Sequence, residues 1–128
     1  MKKSDIRYVF IAGGVGITPF RSIVKEHILQ KKTLPAVLFY CVASEEDLLF
    51  TDVFEEAKRF GLVYLPIIRN KKETFTKELL TKILTNHRAP HYYISGSSLF
   101  ISNIQEVLLK AAIEEERIKT DIFSGYTT

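Results

Sequence analysis

Tryptophan is absent from this chain of 128 residues, cysteine and methionine occur once each, and there are only four prolines and six glycines. A lone Cys41 excludes an intrachain disulfide and any zinc site built on several thiolates. No apolar run approaches the roughly 20 residues that span a bilayer. The opening Met1-Lys2-Lys3-Ser4-Asp5 leads into a short strand-like run and glycines rather than the apolar core of a signal peptide, so a cytoplasmic protein without a transmembrane segment is expected. Charge of one sign is also scarce. Eighteen Lys and Arg against 15 Asp and Glu leave a formal charge of +3, with the signs interspersed, which argues against a nucleic-acid surface. What is present, 46% hydrophobic and 26% charged residues, suffices for one core, so the expectation is a single domain over residues 1–128.

Several short runs are apolar without polar alternation, as strands buried on both faces of a parallel sheet are. Tyr8 to Ala12 is the first, Ala36 to Val42 the second, Leu62 to Ile68 the third and His91 to Ser95 the fourth. Ile118 to Phe123, which alternates more, fits a fifth strand nearer an edge. Between them, apolar residues recur at helical spacing. Phe20, Ile23, Val24, His27 and Ile28 follow Pro19, which suits a first helical turn. Ser44 and Asp47 have capping-box form ahead of Leu49, Val53, Ala57 and Phe60, predicting one helix up to Gly61. A short helix is expected from about Thr76 to Leu84, and another opens at Gly96-Ser97-Ser98, carries Ile101, Ile104, Leu108 and Ala111, and ends in the charges of Glu114 to Arg117. This order predicts a doubly wound, Rossmann-like α/β fold: a five-stranded parallel sheet with helices on both faces.

In such a sheet a ligand binds at the carboxyl ends of the strands, where the strand order reverses. Gly13-Gly14-Val15-Gly16-Ile17-Thr18-Pro19 lies between the first strand and the first helix, where backbone amides meet the positive end of the helix dipole. A diphosphate suits that place: glycines let the backbone approach it, and Thr18 offers a hydroxyl donor. The loop departs from G-x-G-x-x-G, with Pro19 in place of the last glycine and no acidic residue ending the second strand, and it carries no Walker Gly-Lys-Ser/Thr.

Ala12 to Pro19, with Ile23 on the following helix, resembles the nicotinamide-nucleotide loop of the ferredoxin-NADP reductase family. Tyr40 to Phe50, ending Asp47-Leu48-Leu49-Phe50, is similar to that family's second strand and the segment after it. Tyr93-Ile94-Ser95-Gly96-Ser97 with Phe100 resembles its Cys-Gly-Pro-x-x-Met segment, and Ile118 to Tyr126 resembles its closing strand with a terminal Phe-x-Gly-Tyr. The resemblance implies an NADH- or NADPH-binding domain that passes hydride to FAD held on a β-barrel domain, for onward transfer to an acceptor protein or small molecule. The barrel and its Arg-x-Tyr-Ser/Thr signature are absent from this sequence, so the expectation is one half of such a reductase, with the flavin domain supplied elsewhere. The alternative is a non-catalytic module of the same fold that binds a nucleotide or a partner.

By the same resemblance Gly14 to Thr18 would cradle the diphosphate and the nicotinamide ribose, and Gly96, Ser97 and Ser98 would border the nicotinamide. Ser95 stands where many relatives carry a cysteine beside the hydride path, and Ser97 replaces a proline. Tyr126 would cover the flavin or compete with nicotinamide for its face, or else belongs to a frayed tail. The coenzyme choice stays open. Ala43 occupies the place of an arginine found in some relatives, and Ser44, Glu45 and Glu46 after it favour NADH. Arg69, at the end of the third strand with Lys71 and Lys72 close by, stands where relatives grip the 2′-phosphate of NADPH.

Other chemistry lacks support. His27 falls on an apolar helical stripe, His87 and His91 have no metal-ligand spacing, and Glu114 to Glu116 are consecutive at a helix end and cannot share one site. No metal is expected, and the serines lack a nucleophile elbow.

Overall fold

Six of the seven residues of Ala36–Val42 are buried, and this strand stands next to the centre of a five-stranded parallel sheet. The computed structural model describes residues 6–84 and 89–122. The strands are β1 (Tyr8–Gly13), β2 (Ala36–Val42), β3 (Val63–Ile68), β4 (His91–Gly96) and β5 (Ile118–Ile122), in the order β3-β2-β1-β4-β5. The helices are α1 (Thr18–Leu29), α2 (Thr51–Ala57), α3 (Lys77–Ile83) and α4 (Ser98–Lys110). The expected fold class is therefore the observed one. Phe123 and Tyr126, like His87, lie outside the described residues.

Alternation along each strand sends its apolar residues to two cores. Phe10, Leu38, Tyr40 and Tyr64 pack with Phe20 and Val24 of α1 and Phe54 and Ala57 of α2. Val9, Ile11, Val37, Phe39 and Ile94 pack on the other face with Leu80 of α3 and Ile101, Ile104 and Leu108 of α4. Burying each large side chain contributes about 1.5–3 kcal/mol, which is why runs without polar alternation settle in the middle of a two-sided sheet.

The outer edge of β3 is blunted at its carboxyl end. Ile68 donates its amide to Glu73 Oε1 at 2.9 Å, and Pro66, which shares that strand parity, has no amide to offer.

Two helices differ from expectation. Glu45–Asp47 is an isolated 3₁₀ turn, and α2 begins only at Thr51 after Phe50, which has a left-handed backbone (φ 59°). The capping pair exists, with the Ser44 amide and hydroxyl both donating to Asp47 Oδ2 at 3.2 Å. It caps that turn, however, while the Leu49 amide is drawn off to the hydroxyl of buried Tyr40 at 3.2 Å. Helix α4 likewise stops at Lys110, followed by left-handed Ala112, and Glu115–Arg117 forms a separate 3₁₀ turn.

Candidate functional site at the carboxyl edge of the sheet

The strand order reverses between β1 and β4, which pair in register from Tyr8 with His91 to Ala12 with Ser95. Beyond their carboxyl ends the chain makes two tight turns. Gly14–Ile17 is a 3₁₀ turn running straight into α1, with Pro19 in the first helical turn as expected. Ser97 caps α4, its Oγ accepting the Phe100 amide at 3.1 Å. A cleft of about 930 Å³ opens here, lined by Gly13, Gly14 and Val15, by Ala43 and Arg69 at the ends of β2 and β3, and by Ser97 and Phe100 of α4. Seven residues singled out in the sequence thus share one wall.

The glycines divide by role. A Cβ on Gly13 would lie 2.6 Å from the Phe100 ring, and one on Gly96 2.8 Å from it. A Cβ on Gly16 would lie 2.2 Å from the Ser95 carbonyl oxygen, where the turn presses onto β4. Gly13 and Gly16 are thus required by the protein's own packing. Gly14 is different: it is exposed, has φ +53°, and nothing lies within 4 Å of its Cβ position. It opens the turn, and the first amides of such a turn have no partner inside it.

The remaining predicted residues surround this wall. Ile17 is buried beneath the turn. Thr18 is exposed, and its hydroxyl donates to the Val15 carbonyl at 3.2 Å, so its proton is already committed. Ser44 is held by Asp47 and is not part of the lining, nor is exposed Ser98. Ser95 is 1% exposed, and its Oγ has no hydrogen-bond partner among the described residues. A buried hydroxyl in that state costs about 1–3 kcal/mol, and it sits at the point of strand reversal.

The Oxidoreductase NAD-binding domain family model matches residues 10–106. The chain belongs to this family. This NAD-binding domain is 26% identical to a subunit of the Na(+)-translocating NADH-quinone reductase of Histophilus somni, over 97% of the chain and 34% of that protein. Its fold matches the Amycolatopsis cytochrome P450 reductase GcoB with a TM-score of 0.74, at 17% identity, over 93% of this chain and 38% of that one. It matches the ferredoxin-NADP+ reductase of Plasmodium falciparum with a TM-score of 0.70, also at 17% identity, over 93% and 52%. The resemblance to ferredoxin-NADP reductases is borne out, and the chain spans about a third of the length of the curated relative it matches.

Several cleft residues of the NAD-binding domain were not legible as such in the sequence. Asn103, Ile104 and Val107 extend the Phe100 face of α4, and their i+3, i+4 and i+7 spacing was the available signal. Glu73, Thr74 and Phe75 come from the loop after β3, where Phe75 meets Phe39 edge-on at 4.9 Å; Glu73 ends the polar stretch from Arg69 that reads as a sheet edge or binding loop, while no local pattern marks Thr74 or Phe75. Cys41 also lines the cleft, and burial pushes its thiol up to about 12, so it is not a nucleophile at neutral pH. Among the described residues no helix is long and apolar enough to cross a membrane, and no group of His, Cys, Asp or Glu is placed to hold a metal ion.

Proposed function

We propose that this chain is the nicotinamide-dinucleotide half of a flavin-dependent reductase and hands hydride from the coenzyme to FAD held on a separate domain. The observation that carries the reading is the open Gly14 position at the head of a cleft at the carboxyl ends of the strands, where the strand order reverses between β1 and β4, in a member of the NAD-binding family. The residues present fit the coenzyme: a turn with unpaired leading amides suits a diphosphate, and the cleft is as large as small-molecule sites are.

The bound coenzyme supplies hydride-transfer chemistry, and the protein supplies position and dryness. Gly14 and Val15 offer backbone amides to the phosphates. Ser97 and Phe100 wall the cleft at β4, and the Phe100 ring, seated on Gly13 and Gly96, excludes water from the strand ends. Ser95, whose unengaged hydroxyl is buried and not part of the cleft lining, belongs to this proposal as a group beneath the nicotinamide site. Val15 and Leu99, 45% and 72% exposed, put apolar side chains on the turns after β1 and β4, where a flavin domain can cover them. Tyr126 and Ser98 belong to the same proposal as groups near the nicotinamide and flavin. The terminal acceptor is a protein or small molecule met by the whole reductase, which we place in the cytoplasm.

The test is to fuse the chain to an FAD-binding domain of a relative and add NADH or NADPH anaerobically. Bleaching of the visible flavin band, lost in the Gly14→Val variant, is expected. Coenzyme binding without bleaching would favour the binding-module alternative, and no binding would overturn the proposal.

A further inference from the structure

The β2 and β3 end of the cleft bears on which coenzyme it takes, an inference that rests on the coenzyme role proposed above. In doubly wound sheets the first turn holds the diphosphate and groups near the end of the second strand meet the adenosine ribose. A carboxylate there accepts from the ribose hydroxyls, whereas an arginine accommodates the 2′-phosphate of the phosphorylated coenzyme. Both kinds of group occur here, and the structure separates them.

Lys71 does not line the cleft, and its Nζ lies 3.0 Å from Glu45 Oε1 in an exposed pair. The backbone sets up that pairing, with the Asn70 amide donating to the Ala43 carbonyl at 2.9 Å and joining the two strand ends. Lys72 lines a smaller recess with Leu65, Pro66 and Leu79 rather than the cleft. Of the charged groups that do line the cleft, Arg69 stands against Glu46, Asp47 and Glu73. Two of those carboxylates are anchored. Glu73 accepts the Ile68 amide at 2.9 Å, and Asp47 accepts from both the amide and the hydroxyl of Ser44 at 3.2 Å. A dianionic 2′-phosphate would meet excess negative charge, whereas a ribose diol would meet acceptors.

We propose that this domain takes NADH in preference to NADPH, and that the preference is set by Glu46, Asp47 and Glu73 together with the Glu45 pairing that withdraws Lys71. Calorimetry of the chain with NADH and with NADPH tests this, using the unaltered protein at low and high salt and the Glu45→Gln/Glu46→Gln variant. At low salt NADH should bind at least about tenfold more tightly, since several carboxylates each contribute a modest, screened repulsion. The ratio should shrink at high salt, and in the double variant NADPH should gain severalfold relative to NADH. Equal or tighter NADPH binding by the unaltered protein, or a ratio unmoved by both salt and the double substitution, would overturn the preference and leave the coenzyme reading intact. If neither dinucleotide binds, the coenzyme reading falls and the preference with it.

Discussion

At the ends of β1 and β4 a single methyl group has nowhere to go: on Gly16 it would lie 2.2 Å from a backbone oxygen, and on Gly13 2.6 Å from a ring. At the ends of β2 and β3 the groups are polar and solvated by comparison, and the Lys71 and Glu45 side chains are 53% and 65% exposed. One end of the cleft is shaped by contact between atoms that cannot move apart cheaply. The other is shaped by charge, which salt and single substitutions retune. Geometry is therefore built where the strand order reverses, and the discrimination we propose would be built two strands away.

The largest way to break the comparison is Gly16→Ala, which should destabilise by about 3 kcal/mol or more because the opposing atom is backbone. Urea unfolding measures it, and a loss no greater than at exposed sites would mean the turn is loose. The packed cores also set an alkaline limit. Burial pushes Tyr64, Tyr92 and Cys41 up to about 12. Because the folded state favours the protonated forms, stability should hold below about pH 9 and decline as pH rises toward 12, by a few kcal/mol in total. Cys41→Ser should remove the first part of that decline in a pH series of melts.

Gly13→Ala should cost about 1–3 kcal/mol. Its combination with Phe100→Ala should cost less than the two single losses added together, since the ring is what the new methyl meets. A double-mutant cycle reads this, and strict additivity would deny the contact. Tyr40→Phe, which strips the Leu49 amide of its acceptor, should cost about 1 kcal/mol. Lys58→Ala, which breaks an exposed pair with Glu55, should stay within about 0.5 kcal/mol.

The sheet, its helices and the position of the cleft could be foreseen because uninterrupted apolar runs leave a parallel strand few alternatives, and the turn after β1 is marked by its glycines. The assignment of those glycines could not. Whether Gly13 faces a ligand or Phe100 depends on a contact between residues 87 positions apart in the chain, which no local pattern encodes. The helix after β2 was misplaced for a similar reason, since the Tyr40 hydroxyl intercepts the Leu49 amide across nine residues. The charge balance needed the structure as well. Sequence shows Arg69, Lys71 and Lys72 together, and only the fold reveals that Lys71 is matched by Glu45 and that Lys72 lines another recess.

Amide-resolved NMR during titration with NADH tests the central claim most directly. Gly14, Val15, Ala43, Arg69 and the Ser97–Phe100 turn should shift together and saturate with one affinity, while Arg7, Leu34 and Ala89 at the opposite edge of the sheet stay put. Saturating coenzyme that leaves the strand-end amides unmoved, or that shifts the opposite edge instead, would contradict the claim.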